Sequence, residues 1–284
     1  MNFKSLEDKC LYYRGLTDYR ILPNTNVIAM VDGRAFSKLV KKRFKLPFDD
    51  DFIRMMNETA KYVCEHVQGC KFAYVQSDEI SFLITDYDTP QADSFFGYRL
   101  CKMQSIIASL ATAKFNQLLM AYEINKSSYN GLHLDEKGTL YTVSDAMDRL
   151  EEIPLAQFDC KVWPVPSSND AFAWFLYRQI DCIRNSKQQS AQTYLSHKQL
   201  LGKDTDAQVE LLFNEKGVSW EKDFSDGKKY GRFIFQEERE MEKEWGNQII
   251  HFTRKVWDAH DAFPLTDEGS KEKFYDIVPV LKLA

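Results

Sequence analysis

The sequence predicts an α+β protein with a ferredoxin-like (βαββαβ) core. Three observations carry that prediction: an apolar run at 27–31 that ends on a carboxylate, a tight hairpin pattern over 72–84, and two stretches of helical periodicity. Together they give the order strand, helix, strand, strand, helix, strand, which is the split βαβ arrangement.

The first strand is Val27-Ile28-Ala29-Met30-Val31, which follows the turn-like Pro23-Asn24-Thr25-Asn26 and stops at Asp32-Gly33. Phe52, Met55, Met56, Ala60 and Val63 then recur at helical spacing behind Asp49-Asp50-Asp51, acids that suit a helix N-terminus, and Gly69 closes the helix. Phe72-Ala73-Tyr74-Val75 and Ile80-Ser81-Phe82-Leu83-Ile84 read as strands joined through Gln76-Ser77-Asp78-Glu79. A long helix is expected from about Asp93 to Tyr122, with Leu100, Met103, Ile106, Ile107, Leu110, Ala111 and Leu118 on its apolar face.

The polar stretch 125–157 reads as an insertion or flap, and Phe158–Val165 as the next strand. Ser167-Ser168-Asn169 supplies N-cap residues for a helix over Ala171–Asn185. Beyond it, Glu238–Trp245 reads as a charged helix and Gln248–Trp257 as a strand. The expected division is a catalytic unit over 1–165, including the insertion, and a helical or mixed C-terminal region over 166–284 packed on it.

Bulk properties exclude several classes. The chain has 284 residues, 44% hydrophobic and 14% aromatic, enough for a sizeable core. A net charge of −5 argues against a globally basic nucleic-acid coat, so an RNA partner requires a local basic surface. The six cysteines, at 10, 64, 70, 101, 160 and 182, form no C-x-x-C pair and read as free thiols. The N-terminal residues lack a signal-peptide core, and no apolar run approaches the roughly 20 residues of a membrane span. A soluble, cytoplasmic protein is expected. Trp163, Trp174 and Trp220 are expected in the core, and Cys64-Glu65-His66 at a helix end rather than on a metal.

The chemistry concentrates where the strands end. In the predicted fold Asp32 and the hairpin acids Asp78 and Glu79, 46 positions away in sequence, meet at one sheet edge. Carboxylates so placed repel one another unless a cation lies between them. Oxygen-only ligands favour Mg²⁺, which binds through one or two carboxylates plus substrate phosphates. Two such ions would clamp an in-line attack on phosphorus. Gly33 leaves room for a close approach, and the loop Gly33–Ser37 (Gly33, Arg34, Ala35, Phe36, Ser37) offers backbone N–H groups to a triphosphate. Arg34, Lys38, Lys41, Lys42, Arg43 and Lys45 follow within twelve positions that include no acid, where a polyphosphate or RNA backbone would lie.

These residues resemble a known family. Val31-Asp32-Gly33-Arg34-Ala35-Phe36, then Gln76-Ser77-Asp78-Glu79-Ile80-Ser81-Phe82, resembles the paired signature of the tRNA-His guanylyltransferase superfamily. Phe158-Asp159 leading to Tyr177-Arg178-Gln179-Ile180-Asp181-Cys182 resembles its next signature, in the same order and spacing. The resemblance implies a polymerase/cyclase-type palm and a nucleotidyltransferase that adds nucleotides to the 5′ end of tRNA or a tRNA-like RNA, with GTP or another NTP as substrate and ATP for 5′ activation. It implies Asp32 and Asp78 as metal carboxylates, the Gly33 carbonyl as a further ligand, Glu79 as a supporting acid, and nucleotide contacts from residues 32–37, Ser77 and Asp78. It also implies a homotetramer. Lys38, Lys41, Lys42, Arg43, Lys45, Arg178 and Lys187 are candidate RNA or phosphate contacts, with Lys198 and Lys203 further out.

The chain departs from the family pattern at three places. Leu46-Pro47 stands for Lys-Pro, Ile183-Arg184-Asn185-Ser186 for His-Ile-Asn-Asn, and Ala207-Gln208-Val209-Glu210 for Asp-Lys-Asn-Glu. The pattern therefore fits a divergent, guanylyltransferase-like 3′–5′ polymerase. A palm-type nucleotide cyclase, or a synthase of an NTP-derived signal that uses no RNA, is the alternative.

Overall fold

The computed structural model describes residues 3–89, 91–128, 155–245 and 248–282. Six strands form one antiparallel sheet: β1 (Asn26–Gly33), β2 (Cys70–Gln76), β3 (Glu79–Ile84), β4 (Phe158–Val165), β5 (Arg232–Trp245) and β6 (Gln248–Asp261). Their spatial order is β4-β1-β3-β2-β5-β6. β3 lies between β1 and β2, so the first four strands make the expected split βαβ core. The helices are α1 (Leu6–Gly15), α2 (Phe36–Arg43), α3 (Asp50–His66), α4 (Leu100–Ser128), α5 (Ser168–Tyr194), α6 (His197–Leu200), α7 (Thr205–Lys216), α8 (Trp220–Asp223), α9 (Asp226–Tyr230) and α10 (Ser270–Ile277).

Strand alternation sorts the core onto two faces. Val27, Ala29 and Val31 of β1 join Ile80 and Phe82 of β3 under α3 and α4, where Met55, Met56, Val63, Met103, Ile107 and Phe115 are fully buried. Ile28 and Leu83 point the other way, against Phe172 and Phe175 of α5 and Phe274 of α10. Burial of each such side chain stabilises by about 1.5–3 kcal/mol, which holds the strand ends in fixed relation.

Local signals placed α3 and α5. The Asp49 carboxylate accepts from the backbone N–H of Asp51 and Phe52 at 2.9 and 3.0 Å and caps α3. Ser167 caps α5 by accepting from Asp170 N. Gly69 serves the turn after α3, at φ +80°, where an added Cβ would lie 2.3 Å from the Thr85 carbonyl oxygen.

The structure corrects two expectations. The long helix begins at Leu100, not near Asp93. Before it lies a short 3-10 segment, Phe95–Tyr98, with Phe96, Gly97 and Tyr98 at positive φ and with Phe95 and Tyr98 buried as anchors. Glu238–Trp245 is strand, not helix. Its opposite charges three residues apart, Arg239 with Glu242 and Glu240 with Lys243, imitate helical i,i+3 pairs, but cross-strand pairing with β6 decides the conformation. Glu238 faces Lys255 in register, and the Arg239 guanidinium binds Asp258 at 2.6 Å.

The sheet runs across the expected boundary at residue 165, because β5 pairs with β2 through Ala73↔Ile234, Tyr74↔Phe233 and Val75↔Arg232. The stretch expected as an insertion or flap lies almost wholly outside the described residues. All six cysteines are free. Trp220 is buried, while Trp163 and Trp174 pack edge to face at 4.7 Å and are partly buried. Among the described residues no helix is long and apolar enough to cross a membrane.

Candidate functional site

The end of β1 and the β2–β3 turn are joined by one short contact. The Gly33 N–H donates to the Asp78 carbonyl at 3.1 Å, which ties the strand carrying Asp32 to the turn carrying Asp78. In register, Asp32 has Glu79 of β3 on one side and Asp159 of β4 on the other. Directly opposed residues share a sheet face, so Glu79, Asp32 and Asp159 form a row of three acids with Asp78 beside it. Asp159 was not read from the sequence as a site residue. Only the β1–β4 register reveals it.

The acids differ in electrostatic state. Burial is the main influence on Asp78 and pushes its carboxyl up to about 6, with Asp32 and Glu79 adding to the rise and the Ser77 hydroxyl opposing it. Asp32 is also raised, first by partial enclosure of its carboxyl and then by Asp159, while Lys161 pulls it back. Glu79 is not open to a ligand in the same way. Arg178 of α5 grips it with two bonds, Nε to Oε1 at 2.8 Å and Nη2 to Oε2 at 2.7 Å, and Gln76 donates to it at 3.1 Å. Nη2 of Arg178 also reaches Asp181 at 3.0 Å. Burial raises Glu79, and Arg178 works against that rise. Among the acids predicted from the sequence, Asp32 and Asp78 are therefore the free pair, with Glu79 in a buried ion-pair network.

A cavity of about 560 Å³ opens from this pair. Of the residues singled out in sequence, Asp32, Phe36, Ser37, Lys41, Lys45, Ser77, Asp78, Glu79 and Arg178 line it, whereas Gly33, Arg34, Ala35, Lys38, Lys42, Arg43 and Lys187 do not. Arg43 is paired with Glu123 at 2.7 Å and Lys187 with Asp206 at 2.6 Å. Arg34 donates to Gln157 at 3.2 Å, and Lys38 and Lys42 are exposed. The opposite wall was missed by the sequence reading: Asn185, Gln189 and Gln192 of α5, with Lys228 and Arg232. Leu46 and Ser186, two of the positions that depart from the family pattern, line the same space, next to Pro47 and Asn185, which keep it.

The loop after β1 is narrower in its options than expected. The Gly33 and Arg34 N–H groups are engaged, the latter with the Gln157 carbonyl at 2.8 Å. α2 begins after Ala35, which is in the left-handed region at φ +58°, and carries no side-chain cap. Phe36 and Ser37 open α2, whose first-turn N–H groups have no partner within the helix and lie at the positive end of its dipole. The Phe36 side chain is core, 4.9 Å from the Phe158 ring and 5.1 Å from Phe115.

Phe36 also explains Gly33. A Cβ at position 33 would lie 2.4 Å from the Phe36 ring, so the space is filled by the protein itself. Gly33→Ala is expected to lower stability by about 1–3 kcal/mol through overpacking, read by urea denaturation. Pairing it with Phe36→Leu should return part of the loss, and a Gly33→Ala variant as stable as the parent would contradict the packing.

Among the described residues no group of three or more His, Cys, Asp or Glu side chains stands ready to hold a metal. A divalent ion here would therefore rest on the two carboxylates and the phosphates of a bound nucleotide, the mode Mg²⁺ favours.

Comparison with known proteins gives a consistent picture. The family model described as tRNAHis guanylyltransferase matches residues 12–166. A tRNA(His) guanylyltransferase of Debaryomyces hansenii is 28% identical over 211 residues, 70% of this chain and 69% of that protein. Arabidopsis thaliana tRNA(His) guanylyltransferase 1 is 27% identical over 86% of this chain, which spans 40% of that longer protein. Among solved structures, a bacterial tRNA(His) guanylyltransferase-like protein in complex with ATP superposes with a TM-score of 0.74 at 28% identity, covering 96% of this chain and 99% of that one. The corresponding complex with GTP gives 0.68 at 27% identity, covering 97% and 99%.

Proposed function

The chain belongs to the tRNA(His) guanylyltransferase family, and we propose that it is a nucleotidyltransferase that extends the 5′ end of a tRNA or tRNA-like RNA in the 3′–5′ direction. GTP or another NTP is the nucleotide added, and ATP is the activating substrate. The observation that carries the reading is the open carboxylate pair, Asp32 and Asp78, at the mouth of a cavity that also holds the uncapped start of α2, Lys41 and Lys45. A polyphosphate there meets N–H donors and ammonium groups on one side and acids that call for a cation on the other.

The residues present fit Mg²⁺. Burial raises both carboxyls, with Asp159 adding to the rise at Asp32 and Asp32 and Glu79 adding to it at Asp78, the state of acids that a divalent cation would relieve. Asp32, Asp78 and the Gly33 carbonyl would hold the metal, two ions being expected, which when bound neutralises charge at the reacting phosphate. The chain's own residues orient the substrate: α2 and Ser37 take the phosphates, Ser77 flanks them, and the Arg178–Glu79 pair holds the turn at the end of β3. The relatives do not favour the cyclase alternative. A homotetramer in the cytoplasm completes the proposal.

The test is direct. Purified protein with Mg²⁺, the four NTPs and a 5′-truncated, 5′-monophosphorylated tRNA should give product lengthened at the 5′ end, resolved on a sequencing gel. No lengthening sinks the reading, and a cyclic or oligomeric nucleotide formed without RNA replaces it by the alternative.

A further inference from the structure

Arg232, the first residue of β5, is a buried cation that nothing in the proposed chemistry uses. It is 6% exposed and lines the cavity that holds Asp32 and Asp78. Its Nε donates to Asn57 Oδ1 at 3.2 Å and its Nη1 to the Gly227 carbonyl at 3.1 Å, while Nη2 is buried without a partner. Guanidinium keeps its charge at any pH the protein meets.

The neighbours do not neutralise it. Tyr74 and Cys182 are close enough to act on it, but burial pushes both their acid groups above their ordinary values, so neither supplies a negative charge near neutral pH. The Tyr74 hydroxyl already donates to the Tyr230 carbonyl at 2.7 Å, and the Cys182 thiol to the Lys229 carbonyl at 3.7 Å. Asp261, opposite Arg232 in the β5–β6 register, turns its carboxylate against Gly227; its charge acts on Arg232 from a distance, but it makes no ion pair with Arg232 among those of the described residues. Lys228 on the same wall is paired with Asp50 at 2.7 Å.

A buried guanidinium with no carboxylate in contact with it is costly, and a bound anion would supply the missing partner. The position fits such a ligand. Arg232 is the register partner of Val75, and Asp78 follows three residues further along the same hairpin. The cation thus stands at the sheet end that carries the metal carboxylates, yet it belongs to a different element from the α2 loop.

We propose that Arg232 is an anion-binding residue of the cavity, and that it receives a phosphate group through the free edge of its guanidinium fork. The group belongs to a bound nucleotide or to the RNA 5′ end. The identity of the anion rests on the function proposed above, whereas the anion site itself does not.

The experiment uses the full chain in EDTA, so that no metal contributes, with pyrophosphate as the probe and thermal unfolding as the readout. The parent should show a saturable rise in Tm. Arg232→Met should unfold without ligand at the parent's temperature or above, because an uncompensated charge has been removed, and should weaken pyrophosphate binding at least tenfold. Arg232→Lys, which keeps the charge but loses the fork, should fall between. If Arg232→Met does not fold, Arg232→Lys decides: threefold weakening or more supports the site, and parent-like affinity overturns it. A parent that binds no pyrophosphate, or an Arg232→Met variant within threefold of the parent, overturns it as well. Separate titrations with GTP and with 5′-monophosphate and 5′-hydroxyl forms of one RNA oligonucleotide identify the phosphate, because only the true ligand loses affinity in the variant. Failure of the nucleotidyl-transfer reading would appear as absent 5′ extension with pyrophosphate binding intact.

Discussion

Asp78→Asn is expected to lower 5′-end extension by about 10³-fold or more, equivalent to about 4 kcal/mol of transition-state stabilisation, measured by single-turnover assay at saturating Mg²⁺. Asn keeps the shape and the turn but not the charge. In the metal-free parent Asp78 ionises through about 6, so at subsaturating Mg²⁺ activity should rise with pH across that value, and saturating Mg²⁺ should move the rise to lower pH.

Stability moves in the opposite direction. The carboxyl is raised from an ordinary value of 3.8 to about 6 in the folded protein, so its contribution to folding is fully present below about pH 4 and is lost as pH rises through 6. Without metal, Asp78→Asn should therefore be more stable than the parent at pH 8, by on the order of 3 kcal/mol, and the two should converge near pH 4. Added Mg²⁺ should narrow the gap by stabilising the parent. Turnover at the parent's rate in Asp78→Asn would remove Asp78 from the site.

Arg178→Leu is expected to destabilise the protein by about 3–5 kcal/mol, because it leaves a buried carboxylate without its partner. Both side chains are well enclosed, at 13% for Arg178 and 10% for Glu79, and the two bonds between them are short. The double variant Arg178→Leu/Glu79→Leu should recover most of that loss, since an apolar pair carries no uncompensated charge. Urea denaturation of the four proteins in the cycle measures the coupling. A coupling below about 0.5 kcal/mol would mean that the pair is solvated rather than buried. Asp181 enters the same network through Nη2 of Arg178 and through Arg184, so Asp181→Ala should lose less than Arg178→Leu.

The readable parts of this fold share a physical origin. β1, β2 and β3 are apolar on both faces because helices cover both, and such runs stand out in one dimension. α3 and α5 announce themselves through Asp49 and Ser167, whose caps act within three residues. The charged half of β5 does not, since its charges lie in solvent and the strand that pairs with it, β6, lies beyond it in sequence. The start of α4 was misplaced because residues 95–98 are set by the burial of Phe95 and Tyr98, a tertiary contact.

The same division runs through the site. That Asp32 and Asp78 end neighbouring strands is legible in one dimension, since apolar runs, turn residues and motif spacing are local properties. The family is legible there too. Which acids remain open emerges from packing, because a carboxylate's freedom depends on what other elements bring to it. Arg178, 99 positions away, takes Glu79, Asp159 enters through the β4 register, and Arg232 reaches the cavity from a strand that sequence order places far beyond the core. Gly33 shows the difference at one residue: its lack of a side chain is legible in sequence, but that the Phe36 ring fills the space is a fact of packing.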